Sequence, residues 1–277
     1  MSDTLVVNEI YLSLQGESTF AGLPCVFVRL TACNLRCSYC DTAYAFAEGR
    51  KQPLAEVRAE VLRLAAPFTR GAEEGAQGRV HSPQSPASSF SLHSSSLPGQ
   101  PPASPFLRRL PLVELTGGEP LLQKNSLPLM RALCDDGLTV LLETSGALDI
   151  SPVDPRVRRI MDLKCPSSGE AGRNRWENLA RLESTDELKF VIGTVEDYQW
   201  AKAAVIERHL AGLCPLLFSW VHPLAPDQRH PSLKPVPPGQ RPLSRAELAE
   251  RIIADALPVR LQVQLHKLLW PAQQRGV

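Results

Sequence analysis

Short apolar runs alternating with helical patterns constrain this chain most. Runs of strand character stand at VVNEIY, CVFVRL, LVELTGG, TVLLETSG, RIMDLK, ELKFVIG and PLLFSWV. Between them, residues 54–66, 127–136, 195–210 and 244–256 repeat apolar positions with helical period. Such alternation predicts βαβ units around a parallel sheet, an α/β fold. Ligand groups in these folds gather beyond the carboxyl ends of the strands. Most runs here end in polar or Gly-containing turns, so chemistry is expected there.

Two segments break the pattern. In residues 71–106, 19 of 36 positions are Gly, Pro or Ser, leaving little apolar surface to offset ordering entropy. This stretch is read as a disordered insertion, with His81 and His93 solvated rather than metal-binding. Residues 223–242 hold seven prolines and read as a surface loop, extended in places. No internal repeat and no second core is visible, so residues 1–277 are expected to form one domain carrying the insertion.

Composition narrows the class. With 43% apolar residues the chain can bury a core, and a net charge of +1 gives no electrostatic case for nucleic acid or a membrane surface. No apolar run is long enough to span a bilayer. The start, MSDTLVVNEIYLSLQGE, lacks the basic and apolar regions of a signal peptide. Seven cysteines, an odd number with three clustered, point to a reducing compartment, the cytoplasm, and to metal rather than disulfides.

The cluster is Cys33, Cys37 and Cys40, spaced C-x3-C-x2-C directly after CVFVRL. Three thiolates do not complete a four-coordinate structural zinc site. They do hold three corners of an iron–sulfur cube and leave one iron open. A zinc site completed by a remote ligand and unrelated core cysteines are the competing readings of the spacing. Cys25, Cys134 and Cys214, each alone in an apolar stretch, read as small buried hydrophobes.

Other motifs carry a functional and a plain reading side by side. The paired glycines of TGGEP (Thr116 to Pro120) allow positive φ and close backbone approach to a ligand, or make an ordinary strand-to-helix turn. Arg29, inside CVFVRL, suits a bidentate carboxylate contact, or a plain salt bridge. Asp41 and Thr42 offer hard oxygens to magnesium, or cap a helix. Lys164, at a strand end, can pair with a carboxylate, and Cys165 beside it offers a fourth metal ligand or, as the preferred reading, is an apolar or loop cysteine. Lys189, in ELKF, reads as exposed charge on a strand. His266 alternates with Gln264 on a strand-like run or begins a short helix.

In their order, SLQGE, FVRLTACNLRCSYCDT, LTGGEPLLQ, LLETSG, DLKCPSSG, ELKFVIG and LQVQLHKLLW resemble the 7-carboxy-7-deazaguanine synthase family of radical S-adenosylmethionine (SAM) enzymes. The likeness covers nearly the whole chain outside the insertion and the proline-rich loop. It implies an incomplete radical SAM barrel with a parallel sheet and a homodimer. It also implies ring contraction of 6-carboxy-5,6,7,8-tetrahydropterin to 7-carboxy-7-deazaguanine with loss of ammonia, in queuosine and deazapurine biosynthesis. SAM would be regenerated, and a flavodoxin-like donor is a plausible source of the electron.

The same resemblance implies site roles. Cys33, Cys37 and Cys40 would hold a 4Fe–4S cluster. Tyr39, Cys40, Asp41, Gly118, Asp162, Leu163, Lys164, Ser219, Trp220, Val221 and His222 match SAM-contacting positions, the last four weakly because FSWVHP departs from the family's FSPV. Leu14, Gln15, Gly16, Glu17, Arg29, Thr116 and His266 match pterin-contacting positions, and Thr42 a magnesium ligand. Ser18 stands where the family often has Gly. A glycyl-radical-enzyme activase and a non-catalytic metal-binding module are the rival functions.

Overall fold

The computed structural model describes residues 3–77, 110–271 and 274–277. Its strands are β1 (Thr4–Leu14), β2 (Pro24–Leu30), β3 (Arg50–Pro53), β4 (Leu112–Gly117), β5 (Val140–Thr144), β6 (Arg158–Leu163), β7 (Glu187–Ile192), β8 (Leu216–Trp220) and β9 (Arg260–Gln262). The helices are α1 (Leu54–Gln77), α2 (Ser126–Asp135), α3 (Val195–Glu207), α4 (Arg245–Ala254) and α5 (His266–Leu269). All the strands join one sheet in the order β3-β1-β2-β4-β5-β6-β7-β8-β9. β1 is antiparallel to β2 and β3, and every pairing from β2 through β9 is parallel. Its edge strands β3 and β9 do not pair, so the sheet is an incomplete α/β barrel.

Strand periodicity of two places successive side chains on opposite faces of this sheet. The outer face is a continuous apolar layer: Val26, Val28, Val113, Leu115, Leu142, Met161, Leu163, Leu188, Phe190 and Phe218 pack against helix residues such as Val57, Met130, Tyr198 and Leu248. The inner face changes character along its length. At the amino ends, Cys25, Phe27, Leu112, Leu141 and Ile160 join Phe20 in a small apolar floor. Towards the carboxyl ends, the same face carries Arg29, Thr116, Glu143, Asp162, Lys189 and Ser219, all on one cavity. Apolar floor and polar mouth come from one alternation read along each strand.

Each strand run expected from the sequence overlaps a strand of this sheet, most running a residue or two into the flanking turns, and the helical patterns match α1 to α4. Sequence periodicity missed β3 and β9. RKQP has no apolar residue, and RLQ is only three residues long. The helix α1 extends to Gln77, so residues 71–77 are helical, not the start of an irregular insertion. The remainder of that insertion, with His81 and His93, lies outside the described residues. His266 begins the short helix α5. The proline-rich segment is mostly exposed, as expected. It also sends Leu233 into the interior and donates the Lys234 N–H to the Arg36 carbonyl at 3.0 Å, which places it over the cysteine loop.

Candidate active site

The cysteine loop leaves β2 through Ala32, whose φ of +80° turns the chain. Its shape is fixed mainly from across the barrel. Ser38 donates its N–H to the Ser168 carbonyl at 3.0 Å and its hydroxyl to the Ser167 carbonyl at 2.6 Å. The Arg36 N–H donates to Glu170 Oε1 at 2.7 Å. The Arg36 side chain donates back to the Cys33 and Leu35 carbonyls at 2.8 and 2.7 Å, with its guanidinium 4.2 Å from the Phe46 ring centroid. The segment after β6 thus supports this loop, while Cys165 within it is fully buried in the outer core, as a structural cysteine.

Gly117 and Gly118 serve the same loop. Gly117 has φ of +127°, and a Cβ there would lie 2.2 Å from the Leu30 carbonyl oxygen. A Cβ on Gly118 would lie 1.9 Å from the Ala32 carbonyl oxygen. The gap is closed by hydrogen bonds from Gly118 N–H to Leu30 at 3.1 Å and from Glu119 N–H to Ala32 at 2.8 Å. The close approach allowed by the glycines is therefore to the backbone entering the cysteine loop. Glu119 is wholly buried and accepts from the Ser145 N–H and hydroxyl at 2.7 and 2.6 Å, tying this turn to the end of β5.

At the amino-terminal turn, Gln15 is buried and both ends of its amide are engaged. Its Nε2 donates to Glu114, and its Oε1 accepts from the Glu17 N–H at 3.0 Å. Ser18 has φ of +65°, in the left-handed region that favours glycine. Gly16 leaves room for His266: a Cβ on it would meet His266 Nδ1 at 2.4 Å, and its carbonyl accepts from the Leu265 N–H at 2.9 Å. Burial lowers the His266 imidazole pKa below its ordinary value, against opposing pulls from Glu17 and Asp41.

Charged groups line the cavity in a connected set. Arg29 donates from Nε to Glu9 at 2.7 Å and from Nη2 to the Tyr11 hydroxyl at 2.7 Å, so the salt bridge foreseen as its plain reading is present. Arg29 also lines the cavity. Asp41 is held by Lys267, by Gln264 Nε2 at 3.2 Å and by the Thr42 hydroxyl at 2.9 Å; burial raises its pKa, but Lys267 outweighs that and holds it well below the carboxylate range. Thr42 makes no side-chain cap on the helical turn Ala43–Phe46. The plain capping role is therefore not taken up by its hydroxyl.

Lys189 corrects its expected exposure: it is 3% exposed, on the inner face of β7. The register of β6 on β7 sets Asp162 directly beside it, and Asp162 Oδ1 lies 3.5 Å from its ammonium. Lys189 also pairs with Glu143 and lies 3.7 Å from Glu17 Oε2. Lys164 takes the other oxygen of Asp162 at 2.6 Å, which fulfils its expected pairing with a carboxylate. Ser219 donates to Glu17 Oε1 at 2.7 Å. The neighbouring Trp220 donates its indole N–H to the Leu243 carbonyl at 2.8 Å.

Every residue singled out for cluster, cofactor, pterin or magnesium lines this one cavity, except Leu163. Leu163 faces the outer core and has only its backbone to offer a ligand. Glu114, Glu143, Ser145, Lys189, Gln264 and Lys267 also line the cavity and were missed. ETSG marked the end of β5, but no motif pointed to Glu114 or Lys189.

The cavity fits the groups implied. Burial pushes the thiols of Cys33 and Cys37 up, and that of Cys40 to about 12, so a metal is needed to hold them as thiolates. Among the described residues, no three His, Cys, Asp or Glu side chains converge to hold a single ion. In a cubic cluster each thiolate takes its own iron, so convergence is not required. Beside the cysteines, the Tyr39 hydroxyl is buried without a hydrogen-bond partner among the described residues, as befits contact with a polar ligand, while Asp162 Oδ1 makes no hydrogen bond and meets the Lys189 ammonium at 3.5 Å.

An open parallel barrel with a C-x3-C-x2-C loop and a glycine turn at its carboxyl end defines a radical SAM enzyme. The same fold is found in the crystal structure of QueE from Escherichia coli, with a TM-score of 0.55, 20% identity and 95% of both chains covered. The 7-carboxy-7-deazaguanine synthase of Koribacter versatilis is 38% identical over 98% of this chain and 99% of its own length; that of Chlorobaculum tepidum is 36% identical over 99% and 97%. The chain belongs to the 7-carboxy-7-deazaguanine synthase family. No protein-family model matches it.

Proposed function

We infer that the protein is a lyase that contracts the ring of 6-carboxy-5,6,7,8-tetrahydropterin to give 7-carboxy-7-deazaguanine with loss of ammonia. The observation that carries this reading is the gathering of cysteine loop, glycine turn, QGE turn, Arg29 and His266 around one cavity. When bound, the cluster and SAM supply one-electron reduction and hydrogen-atom abstraction. The chain supplies binding, orientation and exclusion of water.

Cys33, Cys37 and Cys40 hold the cluster. Tyr39, Asp41, Gly118, Asp162, Lys164, Ser219, Trp220, Val221, His222 and the Leu163 backbone form the SAM side. Glu17 accepts from the pterin N–H groups, and Arg29 takes the pterin carboxylate with donors not already given to Glu9 and Tyr11. Leu14, Gln15, Gly16, Thr116 and His266 complete the substrate wall. With Gln15's amide engaged by Glu114 and Glu17, and its backbone N–H and carbonyl by Leu23 and Gly22, its contribution comes from the remaining side-chain N–H. Thr42 offers its hydroxyl to magnesium, which orients substrate oxygens rather than activating a hydrolytic water. A low-potential one-electron donor such as a flavodoxin follows from this chemistry. Exposed Leu261, Leu268 and Leu269 near the carboxyl terminus favour a homodimer. No described helix is long and apolar enough to cross a membrane.

The test is direct. Reduced protein with a reconstituted cluster, SAM, magnesium and the carboxytetrahydropterin should yield the deazaguanine product by mass spectrometry; absence of product overturns the reading. Replacing Cys33, Cys37 or Cys40 by Ala should each abolish bound iron and turnover, while Cys165→Ala should keep both.

A further inference from the structure

Lys189, the cation at the centre of a buried ion-pair hub on the cavity wall, has no part in the roles above. Lys189 Nζ lies among three carboxylates from three elements: Glu17 on the turn after β1, Glu143 on β5 and Asp162 on β6. A buried ammonium is retained only where partners offset its desolvation. These partners are not equally dependent on it. Asp162 keeps Lys164 at 2.6 Å, and Glu17 keeps the Ser219 hydroxyl at 2.7 Å. Among the described residues, Glu143 is hydrogen-bonded by the Thr116 hydroxyl, at 2.9 Å, besides Lys189, with the Lys164 charge acting from further away.

We propose that Lys189 is a positioning residue of the pterin site, fixing the Glu17 and Glu143 carboxylates so that their free lone pairs face the substrate N–H groups. The proposal rests on the pterin reading above and adds Glu143 to the acceptors of that site. Two negative oxygens opposite a flat heterocycle with several N–H donors make a directional, charge-assisted acceptor pair. Without a cation between them, two carboxylates in one low-dielectric pocket repel, and one takes up a proton. A protonated Glu143 presents a donor where an acceptor is needed.

The titratable groups around this hub are Glu17 on the amino-terminal turn, Glu114 on β4, Glu143 on β5, Asp162 on β6, Lys164 just after it and His266 on α5, with Glu187 on β7 itself. Glu114 and Glu143 repel one another, and both interact with Lys189. Burial alone raises the pKa of Glu143, and the Lys189 ammonium pulls it down and prevails. The charge on Lys189 is thus what keeps Glu143 an acceptor.

Lys189→Met keeps the length of the side chain and removes the charge. Pterin binding to the unreduced, cluster-loaded enzyme should weaken about tenfold or more, as expected for loss of one partner of a buried charge pair. KM should rise in parallel. The acid limb of kcat/KM should move up by about one pH unit or more. SAM affinity should stay within about twofold, because Lys164 still pairs Asp162.

Lys189→Arg, which keeps the charge, should return the acid limb to its wild-type position. Unchanged pterin binding and acid limb in Lys189→Met overturn the proposal. So does an equal loss of SAM binding, which marks a general collapse of the cavity. Should Lys189→Met not fold, Lys189→Arg decides: a displaced acid limb in that variant also overturns it. A wild type without turnover removes the pterin reading itself; an active wild type with an unaffected variant removes only the role of Lys189.

Discussion

Ser18 shows how one side chain can occupy a backbone state suited to glycine. Its φ of +65° costs an L-residue about 1–2 kcal/mol. Its hydroxyl accepts from the Phe20 N–H at 3.1 Å, worth about 1 kcal/mol. Ser18→Ala keeps the strain and loses the bond, so it should destabilise by about 1 kcal/mol. Ser18→Gly loses the bond and also the strain, so its urea midpoint should lie nearer wild type than that of Ser18→Ala. The reverse order would show that the left-handed backbone at this position carries no strain that glycine relieves.

A place on the cavity was legible where a motif marked it and illegible where burial set it. Cys33, Cys37, Cys40, Arg29 and Thr116 were marked by spacing and order, and all line the cavity. Lys189 was assigned to solvent because lysines usually lie there. Inside a barrel the polar ends of the strands face each other, so the same period-two alternation buries the charge against Asp162 and Glu143.

Among the elements, α3 shows how a helix start is tied to the segment that supports the cysteine loop. Thr194 and Asp197 form a capping box, with the Asp197 N–H donating to Thr194 Oγ1 at 3.1 Å and the Thr194 N–H to Asp197 Oδ2 at 3.1 Å. Asp197 is fully buried and also accepts from the Gly193 N–H at 2.9 Å and the Ser167 N–H at 2.7 Å. Thr194→Ala removes one cap and should cost about 1 kcal/mol. Asp197→Ala leaves three buried N–H groups without their acceptor and should cost about 3 kcal/mol or more. Because Ser167 supports Ser38, Asp197→Ala should also lower iron retention after reconstitution, and Thr194→Ala should not. Equal iron contents would uncouple this helix start from the cysteine loop. Strand and helix types were readable from periodicity over the core elements. The edges were not, because β3 and β9 bury too little apolar surface to leave a pattern.

Across the whole molecule, the α/β alternation predicted a parallel sheet, but its incomplete closure was given only by the family likeness. Contacts distant in sequence decide it: Ser18 exchanges hydrogen bonds with the Gln262 amide at 3.0 and 2.6 Å, and the Thr19 N–H donates to Glu187 at 3.0 Å. These bonds fasten the first turn to the far side of the sheet and help enclose the acids of the cavity. Enclosure has opposite consequences for stability at different carboxylates. Glu114 is fully buried, and burial, with the repulsion of Glu143, raises its pKa well above the ordinary value. The unfolded chain therefore ionises this group first. The stability it contributes is present below the unfolded value of 4.5 and is lost as pH rises towards its folded value. Glu143 has a lowered pKa, so its contribution has the other sign, present above 4.5 and lost as pH falls. Glu114→Gln keeps an acceptor for Gln15 and removes the titration, so it should unfold at higher urea than wild type at pH 7, with the advantage shrinking as pH approaches 4.5. Glu143→Gln should be less stable than wild type at pH 7, with the deficit shrinking over the same interval. Parallel pH profiles for the two variants would show that the enclosure does not separate these acids. Opposed profiles would show that one cavity carries a carboxylate stabilised by Lys189 beside another retained at a cost to the fold.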